Sequence, residues 1–348
     1  MWRVSLRDLQ WRRRRFAIAV TGTSLVFAMT LVLAGFSASF RDEAATTVGG
    51  VGAGAWVMNQ SASGPFSTVS VIPGGTAELV RREPGVTQAD PIVIFHQTTH
   101  RTSYTDINMI GHRLGGLGTP PLTHGRQARG DAEAVVDESL GARIGEDIVL
   151  AGTRFKVVGL THGSTIDGGI PNVFTSLAAS QKVALGGAPS ITAVVVRGLP
   201  QRLPAGLKVI SNADVREDVL RPLSKAIRVI DILQYMLWLV AACIVGSVVY
   251  LSAMERVRDF AVLKATGASS RSLLGGVALQ AVILALGAAA MAEALARILP
   301  ALFPIAVSVP IAAALALPVI AVMVGLVSSV SGVRRALAVD PASAFGGP

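Results

Sequence analysis

Four long uncharged apolar runs dominate the hydrophobic pattern, at residues 16–40, 232–254, 272–292 and 298–333. A helix needs about 20 apolar residues to cross the hydrocarbon core of a bilayer. Each run meets that length, and in lipid the helix is the form that satisfies its own backbone. The last run is too long for one span, and Pro300, Pro304 and Pro310 interrupt its first third. Transmembrane helices are therefore expected at 16–40, 229–254, 272–297 and 310–333, four in all.

Between the first two runs the pattern becomes mixed. Strand-like runs occupy 55–59, 92–96, 134–136, 148–151, 155–160 and 191–197, and helix-like pieces 76–83 and 176–184. Residues 44–54 are rich in Gly and Ala, and 115–130 in Gly and Pro, so both read as loops. Residues 41–228 thus read as one inserted α/β domain, large enough to hold its own core. From 212 to 232 the apolar residues Val215, Val219, Leu223, Ile227 and Ile230 keep helical spacing. They predict an unbroken helix into the second span, tying the domain rigidly to the membrane.

Charge sets the orientation. The chain carries a net charge of +9, yet residues 41–228 hold 18 Lys and Arg against 16 Asp and Glu. The basic excess flanks the apolar runs: Arg3, Arg7 and Arg12 to Arg15 before the first, Arg256, Arg258, Lys264 and Arg271 between the second and third, Arg334 and Arg335 after the fourth. With four spans these segments fall on one side, which the positive-inside rule makes the cytoplasm. Both termini are then inside and 41–228 outside. The N-terminal stretch, with Trp2, Leu6, Leu9 and spaced arginines, suits an amphipathic helix at the inner interface. A signal-peptide core runs only ~7–15 residues, so the first run reads as a span. No basic stripe interleaved with aromatics appears, which leaves nucleic acid without support. The one cysteine, Cys243, excludes an intramolecular disulfide.

The loop between the second and third spans, 255–268, exceeds what a turn needs. Val257, Phe260, Ala261 and Lys264 share a helical face, with Glu255, Arg256, Arg258 and Asp259 around them. Gly267 suits a helix stop, and Ser269 or Ser270 a cap for the next helix. Such a short charged helix, displaying Phe260 and Leu263, fits either a groove in a partner protein or the lipid headgroups.

This segment, ERVRDFAVLKATGASSRSLL over 255–274, resembles the cytoplasmic segment of FtsX-like ABC transporter permeases, the superfamily that includes the MacB type. Residues 135–159 resemble the core of the MacB-type extracytoplasmic domain, and the tail 334–347, with Asp340, Pro341 and Ala342, resembles that family's ending. The layout is similar to small actinobacterial permeases that are separate from their ATPase. The resemblance implies a permease dimer in the plasma membrane, working with cytoplasmic ABC ATPase subunits that bind ATP and Mg, while this chain is non-catalytic and holds no cofactor. It further implies that the 255–268 helix couples to the ATPase through Glu255, Arg256, Arg258, Asp259, Phe260, Leu263, Lys264 and Gly267. Asp259 stands where Glu is commoner in the family, which keeps the charge. Export and force transmission to an extracytoplasmic partner are the leading roles. Passage of a small solute such as an amino acid, and regulation of an envelope enzyme without transport, are the alternatives.

Other signals weigh less. No GxxxxGK[ST] occurs, so this chain lacks that phosphate cradle. His96 and His100 stand four apart, but in a strand-like run and without a cysteine, so they read as structural or solvated. The run 49–54 lacks the strand and helix that frame a dinucleotide loop. Ser164 near His162 is not a triad. Glu293 and Arg297 read as a local i, i+4 ion pair.

Overall fold

The computed structural model describes residues 13–100, 104–255, 262, 269–298 and 309–337. The chain divides into two units: Phe40–Ala226, and the segments on either side of it.

Helix α1 (Arg13–Gly50) is 38 residues without a break, about 57 Å at 1.5 Å per residue. It overruns the expected first span by ten residues and takes in most of the Gly- and Ala-rich stretch expected as a loop. Burial explains the difference. Ala44, Val48 and the following Val51 enter a core with Trp56, Phe66 and Ile166, and that apolar contact outweighs weak local propensity.

Phe40–Ala226 is built on an 11-stranded sheet. In chain order its elements begin with β1 (Ala55–Asn59), β2 (Ile72–Pro73), α2 (Thr76–Arg81), β3 (Val86–His100), β4 (Tyr104–His112), β5 (His124–Gly125) and β6 (Glu133–Asp137). There follow β7 (Asp147–Leu150), β8 (Thr153–Thr161), β9 (Thr165–Ile166), β10 (Ile170–Ser176), α3 (Leu177–Ala184), β11 (Ser190–Ile191), β12 (Ala193–Gly198), β13 (Leu207–Ser211) and α4 (Asn212–Leu220). The strand order is β13-β1-β12-β3-β4-β10-β6-β8-β5, with β10 parallel to β4 and β6 parallel to β8. Strand β7 pairs with both β8 and β3. Strands β3, β4, β10, β6, β8 and β7 therefore close into a ring. Ile107, Met109, Val136, Ile148, Leu150, Phe155, Val157 and Val173 form one buried cluster on these strands. The β7–β8 hairpin turns on Ala151 and Gly152, both at positive φ (44° and 80°), as a two-residue turn between right-twisted strands demands. On the rest of the sheet a second core gathers Val57, Ile72, Val80, Val93, Ile191 and Val194.

Helix α4 opens with a capping box: the Ser211 side chain accepts from the Asp214 N–H, and the Asp214 carboxylate accepts from the Ser211 N–H. It stops at Leu220, and α5 (Ser224–Met254) begins after a turn. The expected unbroken helix from 212 into the second span is thus interrupted at Arg221–Leu223. Pro222 supplies the reason: it has no N–H to carry the helical ladder on, although Arg221 before it keeps helical backbone angles.

The second unit adds α6 (Ser270–Leu295) and α7 (Ile311–Leu337). Among the described residues three helices are long and apolar enough to cross a membrane, Phe16–Gly50, Ser224–Met254 and Gly275–Leu295, while the apolar stretch Ile311–Val327 of α7 is shorter. Their packing relies on small side chains. Ala285, Ala288, Ala289, Ala292 and Ala296 of α6 and its end meet Phe27, Ala28 and Leu31 of α1 and Leu317 and Ala321 of α7. A Cβ on Gly325 would lie 3.1 Å from the backbone of Ala281, so α6 and α7 approach as closely as glycine and alanine permit.

Candidate functional site

Of the residues expected to contact an ATPase, Glu255 alone is described: it follows α5, exposed, and its N–H donates to the Leu251 carbonyl at 3.1 Å. Arg256, Arg258, Asp259, Phe260, Leu263, Lys264 and Gly267 lie outside the described residues. Helix α6 starts at Ser270, directly after Ser269.

The geometry shows how the C-terminal part of α1 and the helix α4 are held within Phe40–Ala226. Glu43 of α1 is largely buried and accepts hydrogen bonds from the Gly168 and Gly169 N–H groups at 3.0 and 2.9 Å. Both glycines are at positive φ (83° and 117°) and follow Asp167 at 53°, so the loop turns its amides toward one carboxylate. Burial pushes the Glu43 carboxyl pKa up, and hydrogen bonds from the Thr165 side chain and the two glycine amides offset part of that rise. Burial also raises Asp167, whose Oδ2 is 4.0 Å from His96 Nε2. One turn along α1, Thr47 Oγ1 donates to the Thr165 carbonyl at 2.7 Å and accepts from Asn172 Nδ2 at 3.1 Å. Asn172 Oδ1 in turn accepts from Asn108 Nδ2 at 2.7 Å. A buried polar chain thus runs from α1 through β10 to β4.

The second clasp holds α4. Asp218 is fully buried and accepts from the N–H groups of Phe66 and Ser67 at 2.9 and 3.1 Å and from the Ser67 hydroxyl. At the start of α4, Asn212 accepts from Trp56 Nε1 at 2.9 Å and donates to the Ala53 carbonyl at 2.7 Å. Val215 and Val219 fill the core beside them.

None of these clasp residues stood out in the sequence. Glu43 had one legible signal: with Arg41 and Asp42 it ends the first uncharged run. Asp218 had none, since its partners are some 150 residues away in the chain.

His112, His124 and His162 fall elsewhere. His124 and His162 flank Glu138 at 3.6 and 3.2 Å, and His112 is buried edge-on to Phe174. Among the described residues no three His, Cys, Asp or Glu are arranged to hold a metal ion.

In the membrane-helix unit the expected Glu293–Arg297 ion pair does not form among the described residues. Helix α6 ends at Leu295, and the Arg297 N–H bonds to the Ala294 carbonyl three residues back. The tighter turn removes the i, i+4 geometry. Both side chains line a cavity of about 470 Å³ together with Leu31, Ala296, Val309, Ile311, Ala314 and Leu315.

Comparison with known proteins assigns this architecture. Residues 232–341 match the FtsX-like permease C-terminal family and residues 17–203 the MacB-like periplasmic core domain family. The chain is 44% identical over 345 residues to an uncharacterized ABC transporter permease of Mycobacterium tuberculosis (strain H37Rv), with 99% of each chain covered. It belongs to the FtsX-like ABC transporter permeases. A second permease from the same strain is 42% identical at the same coverage. Two solved structures are similar to part of this permease. The periplasmic region of MacB from Actinobacillus actinomycetemcomitans aligns at 13% identity and a TM-score of 0.35, over 48% of this chain and 93% of that one. The extracellular domain of the noncanonic ABC-type transporter YknZ from Gram-positive bacteria aligns at 12% identity and a TM-score of 0.33, over 40% and 90%. The chain is thus an ABC permease subunit of the MacB and FtsX type, a membrane protein with an extracytoplasmic domain.

Proposed function

We propose that this permease has four membrane spans with both termini in the cytoplasm, and that it converts ATP hydrolysis by a separate cytoplasmic ATPase into movement of its extracytoplasmic domain. The movement exports an amphipathic substrate or transmits force to an extracytoplasmic partner. Helix α7 is the fourth span in this reading, its apolar stretch continuing past Val327 in the sequence. The observation that carries the proposal is the continuity of α1. One unbroken helix contains the first apolar run and also the Glu43 and Thr47 clasp on the sheet domain. In this reading a displacement of α1 in the bilayer reaches the 164–172 segment along the same helix. Helix α5 instead follows α4 after the Pro222 turn.

The ATPase engages the 255–268 segment through Phe260 and Leu263, with Glu255, Arg256, Arg258, Asp259 and Lys264 supplying polar contacts and Gly267 ending the helix. The permease works as a dimer. In support, only 17% of the most apolar stretch of α5 is buried, against 50% for α1 and 39% for α6, and α5 exposes Tyr235, Met236 and Leu239. Replacing Phe260 by Asp tests the coupling. The variant should insert and melt like the wild type but lose stimulation of the partner's ATP hydrolysis. Normal stimulation would remove Phe260 from the coupling contact.

A further inference from the structure

Charged side chains inside an apolar span are costly, and those that persist mark a pathway or a binding site. Glu293 lies in the last turn of α6, within the apolar stretch Gly275–Leu295. It is half-buried, and among the described residues it accepts no hydrogen bond and makes no ion pair. Arg297, just past the helix end, opens onto the same cavity. The volume of about 470 Å³ falls within the ~300–1,000 Å³ typical of ligand sites. The rest of the described wall is apolar: Leu31 and Ala296 are buried, while Ile311 and Leu315 on α7 are exposed. On the topology proposed above, Ile311 and Leu315 face lipid, so the cavity opens sideways into the bilayer near its outer surface.

We propose that this cavity between α1, α6 and α7 binds a zwitterionic amphiphile, with its ammonium on Glu293, its anionic group on Arg297 and its chain along Leu31, Ile311 and Leu315. The two charges need a ligand that carries both signs, because they do not neutralise each other. An apolar body is needed as well, because every other described lining residue is apolar. The same head chemistry occurs in a phosphoethanolamine lipid of the bilayer and in a free apolar amino acid, and the lateral opening favours the lipid-like form. This inference deepens the export reading by naming a substrate class, and it rests on the proposed topology.

The test is direct binding to the purified full-length permease in a nonionic detergent, so it does not depend on ATP hydrolysis and fails or succeeds apart from the ATPase coupling. Three probes are titrated: short-chain phosphatidylethanolamine, short-chain phosphatidylglycerol and free leucine. Phosphatidylethanolamine should bind the wild type and weaken about tenfold or more in both Glu293→Gln and Arg297→Gln, a change of ~1.4 kcal/mol. Glu293→Asp should retain it. Phosphatidylglycerol, which has no ammonium, should respond to Arg297→Gln alone. Ala314→Phe, which fills the cavity without touching either charge, should abolish both. Thermal unfolding of each variant separates loss of binding from loss of fold. Phosphatidylethanolamine binding unchanged in both charge variants would overturn the site. Leucine displacing phosphatidylethanolamine at equal concentration would overturn the amphiphile assignment in favour of a small solute.

Discussion

Truncating Asp218 should unfasten α4 from the sheet domain. The carboxylate is fully buried and takes hydrogen bonds from two backbone N–H groups and one hydroxyl, with Arg221 Nε 3.4 Å away. Hydrogen bonds to a charged acceptor contribute roughly 1.5–3 kcal/mol each, though not additively. Asp218→Ala leaves the Phe66 and Ser67 amides without an acceptor and Arg221 without its counter-charge, a loss of about 3–5 kcal/mol. For a domain of this size each kcal/mol moves the midpoint ~2–4 °C, so the transition should fall by roughly 6–20 °C. Asp218→Asn keeps one acceptor but turns an amide donor toward two donors, so it should fall less than Ala. Gly64 belongs to the same device, since a Cβ there would sit 1.9 Å from the Asp218 Cγ. The assay is thermal unfolding of the full-length permease in detergent, with protease cleavage in the 60–70 loop as a local probe. Asp218→Ala melting within a degree of wild type, with the loop still protected, would refute the clasp.

Two titrations of opposite sign should be visible in the outer domain. Arg126 and the Arg129 amide hold Glu133 down to about 2, so its stabilisation is present above the unfolded-state value and is lost as pH falls through the folded one. Arg126→Gln should therefore remove part of the acid-induced drop in Tm, and an unchanged acid limb would contradict the pairing. Burial raises Glu43 instead, so the folded domain holds more protons just above the ordinary carboxylate range, and stability is lost as pH rises through the raised value. Glu43→Gln should flatten that decline when Tm is followed from roughly pH 4 to 8, and a variant that declines like the wild type would contradict the assignment. In the membrane unit, Gly325→Leu should cost about 1–3 kcal/mol by driving a side chain into the Ala281 backbone, read as a lower Tm in detergent. Wild-type stability would show that α6 and α7 need no close approach.

The three long apolar helices were legible because lipid requires long uncharged runs, while the 255–268 segment, Glu255 and Val262 apart, lies outside the described residues. The outer domain was legible only in part. Strand β3 runs from 86 to 100, yet only its apolar middle at 92–96 reads as strand. Strands β4 and β10 were missed because Asn108 and Asn172, which resemble loop residues in a sequence, sit fully buried. The partner of Asn172 on α1, Thr47, is more than 100 residues away in the chain, and no local pattern shows such a pairing. The extension of α1 hid for a related reason: Ala, Thr and Gly between 44 and 50 form helix because a distant core covers them. The break at Pro222 was legible in principle. The apolar spacing on either side of it continues unchanged, and spacing alone does not register a missing N–H.

Affinity purification of the tagged permease from membranes in mild detergent, with the co-purifying chains identified, tests the central claim most directly. An ABC ATPase carrying a Walker motif should come down in equal amount and crosslink to a cysteine placed at Leu263. Recovery of the intact permease with no ATPase, even after that crosslinking, would contradict the account.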